Sequence, residues 1–366
     1  MLMKKNIVIF SNPFGYGPTG KAIAIAKEFI KIGYDNVVFA GSSFVQEILP
    51  TSIKYINIDE RNEQAIENLL KTIPNSVVVS SQNRFAIKVA LSLKIPCAFL
   101  DGLSWFWKEI PLDHFIADEI FWMKYPGIEE KISKSNHPMH LVSAIVDTQS
   151  MKAPQDQILI HLGGCKNPLI EAFPKYYLDM LSEAIYEISD NIKITGGIDA
   201  INYLKIKFSL HKKNNIALVS LKHDEFIQEL SCSKHFITTA GQTATLEAFA
   251  LGIPTSFLLP MNLSQLALIN LLLKYGANTQ CVMWDSYISK EIKINEPNEK
   301  EAIVGFNIYA ETIKNNDKIF NNFKNDLIKI ITHIPENKGQ KKFIDNLGTG
   351  GAREIVNILS NKWDLV

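Results

Sequence analysis

Lys234-His-Phe-Ile-Thr-Thr-Ala-Gly-Gln-Thr-Ala-Thr-Leu-Glu247-Ala-Phe-Ala-Leu-Gly-Ile-Pro-Thr-Ser-Phe257 is the stretch on which the reading of this chain turns. His235 to Thr238 reads as a buried strand. Ala240-Gly241 makes a turn, Leu246, Phe249 and Ala250 share one face of a helix, and a second strand follows Gly252. The product is a β-α-β unit. Gly241 places a residue without a Cβ just ahead of a helix N-terminus, where unpaired amides and the helix dipole favour an anion such as a diphosphate. Glu247, six residues on, offers a carboxylate that can accept paired hydrogen bonds from a ribose diol. An ordinary strand-helix-strand segment with a glycine turn and a solvated glutamate gives the same pattern, and at this point both readings stand.

The stretch resembles the donor-sugar segment of GT-B glycosyltransferases, specifically the UDP-glycosyltransferases and the peptidoglycan enzyme that makes lipid II. Thr239, Gly241, Glu247, Ala250, Gly252, Pro254 and the loop Pro260-Met-Asn-Leu-Ser-Gln265 fall in matching places. Several residue types over about thirty positions make a more specific signal than a single loop. The resemblance implies an α/β, GT-B fold: two Rossmann-like domains facing each other across a cleft, with a C-terminal helix crossing back to the first.

Composition sets the outer bounds. A chain of 366 residues is too long for one ordinary core and fits two domains of roughly 150 to 180 residues. The 38 basic and 38 acidic residues cancel, so no global field argues for nucleic acid. Cys97, Cys165, Cys232 and Cys281 are scattered without a CxxC pair, which speaks against a zinc site or disulfide framework and for a reducing compartment. The opening residues pass directly into a strand without a signal-peptide pattern, and no apolar run approaches the ~20 residues of a membrane span. The expectation is a soluble, cytoplasmic protein.

Taken in order, Asn6 to Phe10 reads as a strand, then the loop Ser11-Asn-Pro-Phe-Gly15-Tyr-Gly17-Pro-Thr-Gly20-Lys21, then a helix from Ala22 to Lys31. The loop has neither P-loop nor GxGxxG spacing. In the family it resembles, such a loop meets the acceptor and often carries a histidine base; here Gly15, Gly17, Thr19 and Gly20 are the acceptor-side candidates, and Lys21 stands near the place of the base. Strands are expected at Val37 to Ala40, Lys54 to Ile58, Ser76 to Ser80 and Cys97 to Leu100, with helices at Ser43 to Leu49, Arg61 to Lys71 and Arg84 to Leu93. The last of these strands empties into Asp101-Gly-Leu-Ser-Trp105-Phe-Trp107. Asp101 is the candidate base, with Asp113 and His114 next in line, and Trp105 and Trp107 are candidate walls for a ring-shaped acceptor unless they cap the core.

Two further strands, within Phe115 to Gly127 and His140 to Val146, complete a first domain over residues 1–147. A polar linker from Asp147 to Asp156 leads to a second domain, 156–345. Its glycine loops at Gly163-Gly164 and Gly196-Gly197 follow the strands Gln157 to Leu162 and Ile192 to Ile194, at the same sheet edge as Gly241. Leu221 and Lys222, after the strand Ile216 to Val219, match the family's base-contacting loop; the neighbouring His223 reads as a surface residue or a helix-start neighbour rather than a ligand. A strand from Asn278 to Val282 and helices at Glu299 to Lys314 and Asp317 to Ile331 follow. The segment 346–366 reads as the crossover helix, with Leu347, Ile355, Val356 and Leu359 on its packed face.

Three short segments, Phe99 to Trp107, Ile160 to Gly164 and Leu259 to Gln265, are also similar to cytosylglucuronate synthase and its relatives. That likeness implies a free pyrimidine base as acceptor, in natural product biosynthesis. Together the resemblances imply an inverting transfer from a UDP-sugar, used as substrate with no separate cofactor and no metal, to a small molecule. Gly163, Gly164, Gly196, Gly197, Leu221, Lys222, Thr239, Ala240, Gly241, Gln242, Thr243 and Glu247 would hold the nucleotide, and Asn262 and Gln265 the sugar. A nucleotide-sugar hydrolase or epimerase and a non-catalytic nucleotide-sugar-binding subunit are the alternatives. The sugar, the acceptor and the oligomeric state are not legible.

Overall fold

The computed structural model describes residues 5–133, 135, 137–148, 153–166, 169–170, 173–188, 190–209, 216–277, 280–289 and 298–365. Part of the expected linker (149–152) and residues 278–279 of the expected strand at 278–282 lie outside them. Along the chain run β1 (Asn6–Ser11), α1 (Gly17–Lys31), β2 (Val37–Gly41), α2 (Ser43–Gln46), β3 (Lys54–Asn57), α3 (Glu63–Thr72), β4 (Ser76–Ser81), α4 (Arg84–Ser92), β5 (Cys97–Asp101), β6 (Glu119–Met123), α5 (Ile128–Ile132) and β7 (His140–Val142). There follow β8 (Ile158–His161), α6 (Lys175–Ile185), β9 (Ile192–Thr195), α7 (Ile198–Ser209), β10 (Ile216–Val219), α8 (His223–Cys232), β11 (His235–Thr238), α9 (Gln242–Ala250), β12 (Thr255–Phe257) and α10 (Leu263–Lys274). The chain ends in α11 (Glu299–Lys314), α12 (Asp317–Thr332), α13 (Lys338–Leu347) and α14 (Gly351–Lys362).

The chain divides into two compact units, Met1–Asp147 with Asn346–Val366, and Thr148–Asp345. The first holds a seven-stranded sheet in the order β3-β2-β1-β4-β5-β6-β7, with every pairing parallel. Strands covered by helices on both faces read as continuous apolar runs, as Ile7-Val-Ile-Phe10 and Val77-Val-Val79 do. β1 lies between β2 and β4, so strand order reverses there, and such a point leaves a crevice at the carboxyl ends of the strands. One face is covered by α3 and α4 through a core of Val8, Phe10, Ile66, Leu70, Val78, Ile87 and Phe99. α1 packs against α14, which returns the end of the chain to this unit. Ser143 anchors the return, its amide and hydroxyl donating to the Glu354 carboxylate at 3.0 and 2.6 Å.

The second unit holds a parallel five-stranded sheet in the order β10-β9-β8-β11-β12. The edge at β12 is covered by side chain and backbone. Thr255 N donates to Gln340 Oε1 at 3.1 Å while Gln340 Nε2 donates to Thr255 O at 2.7 Å. One residue pair along, Phe257 N donates to Gln280 O at 3.1 Å and Val282 N to Phe257 O at 3.0 Å.

Four expectations are corrected. α1 begins at Gly17 rather than Ala22, because Pro18 in its first turn suits a helix start; Gly17, Thr19, Gly20 and Lys21 are therefore helical. α2 stops at Gln46, well short of Leu49. α9 has no apolar stripe: Gln242 to Phe249 are all buried while Ala250 is half-buried, since α8, β11 and β12 enclose it. The C-terminal segment is two helices, with Leu347 on α13 and Ile355, Val356 and Leu359 on α14. Between them Gly348 has φ +71°, and a Cβ at Gly351 would stand 2.1 Å from the Ser143 carbonyl oxygen.

Candidate active site

In the first unit β5 carries Asp101 to the carboxyl edge of the sheet as its last residue. It is fully buried. One carboxylate oxygen accepts the Leu103 amide at 2.9 Å, and the other meets His114 Nδ1 at 2.8 Å. Because an ionised carboxylate only accepts, this contact assigns the proton to Nδ1 and leaves the lone pair of the neutral ring on Nε2. His114 ends the short 3-10 turn Leu112–His114 and is wedged between Phe99 and Trp107, at ring distances of 5.2 and 6.0 Å. Its neighbour Asp113 is paired with Arg84 at 2.7 Å.

Lys21 is buried on α1, and a Cβ at Gly102 would lie 3.2 Å from its Nζ. A side chain after Asp101 would therefore press on the flexible ends of Lys21 and Gln82. Gly15, with φ +60°, makes the turn before α1 and faces open space; Thr19 is buried with its hydroxyl 2.9 Å from that of Ser11. The two tryptophans part company. Trp105 stacks on Tyr125 at 5.1 Å and packs against the core of Ile120, Trp122 and Ile128. Trp107 remains beside His114.

In the second unit β11 delivers the buried Thr239, then Ala240 at φ +57°. The left-handed residue is the alanine and not the glycine, whose φ is −64°; a non-glycine residue held there is the kind of strain that gathers at functional sites. Gly241 instead supplies room: nothing lies within 4 Å of where its Cβ would be. It caps α9 without a side-chain hydrogen bond. Next to it Gln242 is buried to 8% exposure, and neither its side-chain oxygen nor its nitrogen has a partner among the described residues. A buried amide of this kind costs roughly 1–3 kcal/mol for each unmade bond unless a ligand completes it. Thr243 is buried in the same first turn.

Glu247 is 1% exposed, and its Oε1 lies 3.0 Å from Nε2 of His223, the first residue of α8. Of its two readings, surface residue or helix-start neighbour, His223 fits the second, buried at the start of α8. The adjacent His161 ring packs on Phe226 at 4.6 Å; burial, with the charge of His223 adding, pushes its pKa down to about 3. Leu221 packs with Leu159 and Phe226, and the Lys222 amide donates to Glu225 at 2.8 Å. The two glycine loops touch backbone to backbone. Gly197 N donates to Gly163 O at 2.9 Å, and a Cβ at Gly197 would meet Gly164 O at 2.3 Å; Gly196 O accepts from Ser220 at 3.0 Å.

Asn262 caps α10, its side-chain oxygen accepting the Gln265 amide at 2.9 Å. Gln265 in turn accepts the Met261 amide at 2.7 Å and reaches Thr239 Oγ1 at 3.5 Å. The amide of Leu263 donates to Glu299 at 3.2 Å, and burial raises the Glu299 pKa to about 7. Sequence reading ranked His114 behind Asp101 and set His223 aside, because each partner lies thirteen or more positions away and only the folded chain joins them.

These two units define the fold as GT-B. No family model and no curated protein matches the chain. Among solved structures, MurG of Acinetobacter baumannii is similar over 98% of this chain and 99% of its own, with 13% identity and a TM-score of 0.53. Os79 from O. sativa in complex with UDP is similar over 97% and 99%, with 10% identity and a TM-score of 0.57. A UDP-GlcNAc 2-epimerase from Methanocaldococcus jannaschii is similar over 98% and 100%, with 17% identity and a TM-score of 0.51. Among the described residues no helix is long and apolar enough to cross a membrane.

Proposed function

We propose that the chain is a glycosyltransferase that moves a sugar from a nucleotide-sugar, with UDP as the nucleotide, to a small acceptor, inverting the anomeric centre. The observation that carries this is the start of α9: an open, side-chain-free Gly241, a strained Ala240 and the unpartnered Gln242 amide beside an uncapped helix N-terminus. That set of donors suits a diphosphate. Glu247, one to two turns along α9, and its partner His223 on α8 then stand for the nucleoside, and the Asn262–Gln265 loop for the sugar.

The proton acceptor is His114 rather than Asp101, whose two oxygens are already engaged. Nε2 takes the proton from an acceptor hydroxyl or ring nitrogen as that atom bonds to the anomeric carbon. The carbon–oxygen bond to the diphosphate breaks in the same step, and UDP departs with the bonding pair. The helix dipole and amides at 241–243 stabilise the charge left on it. Asp101 holds the ring in its productive tautomer, as the carboxylate does in a catalytic triad. A free pyrimidine base is the acceptor favoured by the segments around Trp107 and Gly164, and natural product biosynthesis in the cytoplasm is the corresponding setting.

The fold shared with the epimerase supports a second reading, epimerisation or hydrolysis of the nucleotide-sugar. Incubation with UDP-sugars and an acceptor panel, read by mass spectrometry, separates the two. Transfer predicts UDP release that depends on acceptor and yields a glycosylated product. UDP release at the same rate without acceptor, or a recovered epimer, overturns it.

A further inference from the structure

The loop after β5 contains a device that the proton-transfer reading does not use. Lys131, on α5, donates all three of its ammonium hydrogens to backbone carbonyls of that loop: Ser104 O at 2.8 Å, Trp105 O at 2.9 Å and Trp107 O. It makes no ion pair with any described residue. Burial lowers its pKa while the charge of Asp101 raises it. A lysine that spends its charge on three carbonyls within four residues fixes the path of a backbone, because each carbonyl must point at one atom.

The loop touches the Asp101–His114 pair at both ends, by a hydrogen bond at its start and a ring contact at its end. At its start the Leu103 amide donates to Asp101. In its middle the amides of Phe106 and Trp107 donate to Leu103 O at 2.8 and 3.2 Å. At its end Trp107 meets the His114 ring edge to face. We infer that Lys131 is the positioning residue of the proton-accepting pair: its three-carbonyl clamp holds the 103–107 loop so that Leu103 fixes the carboxylate and Trp107 fixes the imidazole. This rests on the proposed role of His114.

The ammonium also acts through its charge. The charged groups around the pair are Asp101 on β5, Lys131 on α5, Lys21 reaching Gly102 from α1, and the Arg84–Asp113 pair beside His114. Removing one of the cations makes a proton on the imidazole easier to hold. Loss of Lys131 therefore moves the acid limb of the rate profile to higher pH.

The test uses the full chain with Lys131→Met and, in case that variant does not fold, Lys131→Gln. Amide hydrogen exchange at Leu103, Phe106 and Trp107 is expected to speed at least about tenfold in the variants, with the rest of the first unit unchanged. The titration of His114 followed by NMR should shift upward by about half a unit. Transfer is expected to lose about 10- to 100-fold in kcat with UDP affinity unaltered, and Lys131→Arg, which keeps the charge, should leave the pH limb in place. Unchanged exchange together with an unmoved titration overturns the clamp. Exchange and titration are read without substrate, so a wild-type protein that shows no transfer defeats the proposed function while these two measurements still decide the clamp.

Discussion

Each unit buries one carboxylate–imidazole pair near the carboxyl edge of its sheet, and the two pairs are wired differently. In the first, Asp101 binds His114 through Nδ1, so the ring's distal nitrogen is the one left for chemistry, and aromatic rings fix its plane. In the second, Glu247 binds His223 through Nε2, with His161 as a buried neighbour that disfavours added positive charge. The first arrangement suits a proton acceptor oriented from behind. The second suits a fixed polar wall for a bound nucleoside. A carboxylate beside an imidazole thus leaves a different ring nitrogen facing away in each unit, Nε2 in His114 and Nδ1 in His223.

Breaking the first pair has the largest expected effect. His114→Ala should lower transfer by on the order of 10² to 10⁴, with UDP affinity held, measured as initial rates at saturating donor. Asp101→Asn should lower it by on the order of 10², through loss of the tautomer rather than of the base. Near-wild-type rates in a folded His114→Ala protein would leave the pair a packing role.

Breaking the second pair should act on binding. Glu247→Gln is expected to weaken UDP by roughly 1.5–3 kcal/mol, the scale of hydrogen bonds to a charged group. Calorimetry giving the same affinity for variant and wild type would remove Glu247 from the nucleoside site.

The units should also differ in acid. His235 on β11 is buried, with Nε2 2.9 Å from Ser256 Oγ, and burial lowers its pKa to about 4 from 6.5. His161 is lower still, at about 3. The folded state keeps both neutral, so the unfolded chain binds more protons as pH falls below 6.5. Stability is therefore full above that value and declines toward pH 4, by up to about 3 kcal/mol for His235. Thermal melts between pH 7 and 4.5 should show this loss, and His235→Asn should shrink it; an equal slope in the variant would refute the assignment.

An effect of opposite sign belongs to Glu299, a carboxyl raised to about 7 from 4.5. Folding there favours the protonated acid, so its unfavourable contribution is absent below pH 4.5 and complete above 7. Glu299→Gln keeps an oxygen for the Leu263 amide and should raise stability at pH 8 by about 2.5 kcal/mol relative to pH 5. A gain of equal size at both pH values would mean the titration is not its cause.

Much of the fold was open to reading, since strands covered on both faces declare themselves as apolar runs: His235 to Thr238 and Ser76 to Ser80 fall on β11 and β4. Boundaries set by a single residue were harder. Pro18 starts α1 inside what read as a loop, and Gly348 with Gly351 divides what read as one helix. Gly241 attracted notice as a flexible turn, yet its use is open space while Ala240 carries the left-handed angle. His114, His223 and Lys131 have no local signature, because their partners are brought by other elements of the fold.

The covering of β12 reaches beyond the site. An outermost strand offers its unpaired peptide groups to any passing chain, and a short apolar one such as Thr255–Phe257 would be a ready template for strand addition between molecules. Here the Gln340 amide takes the place of a neighbouring peptide at Thr255, and residues 280 and 282 do so at Phe257. The Gln340 side chain, brought to the strand by α13 from far along the chain, and the backbone of residues 280 and 282 thus occupy peptide groups that an added strand would need.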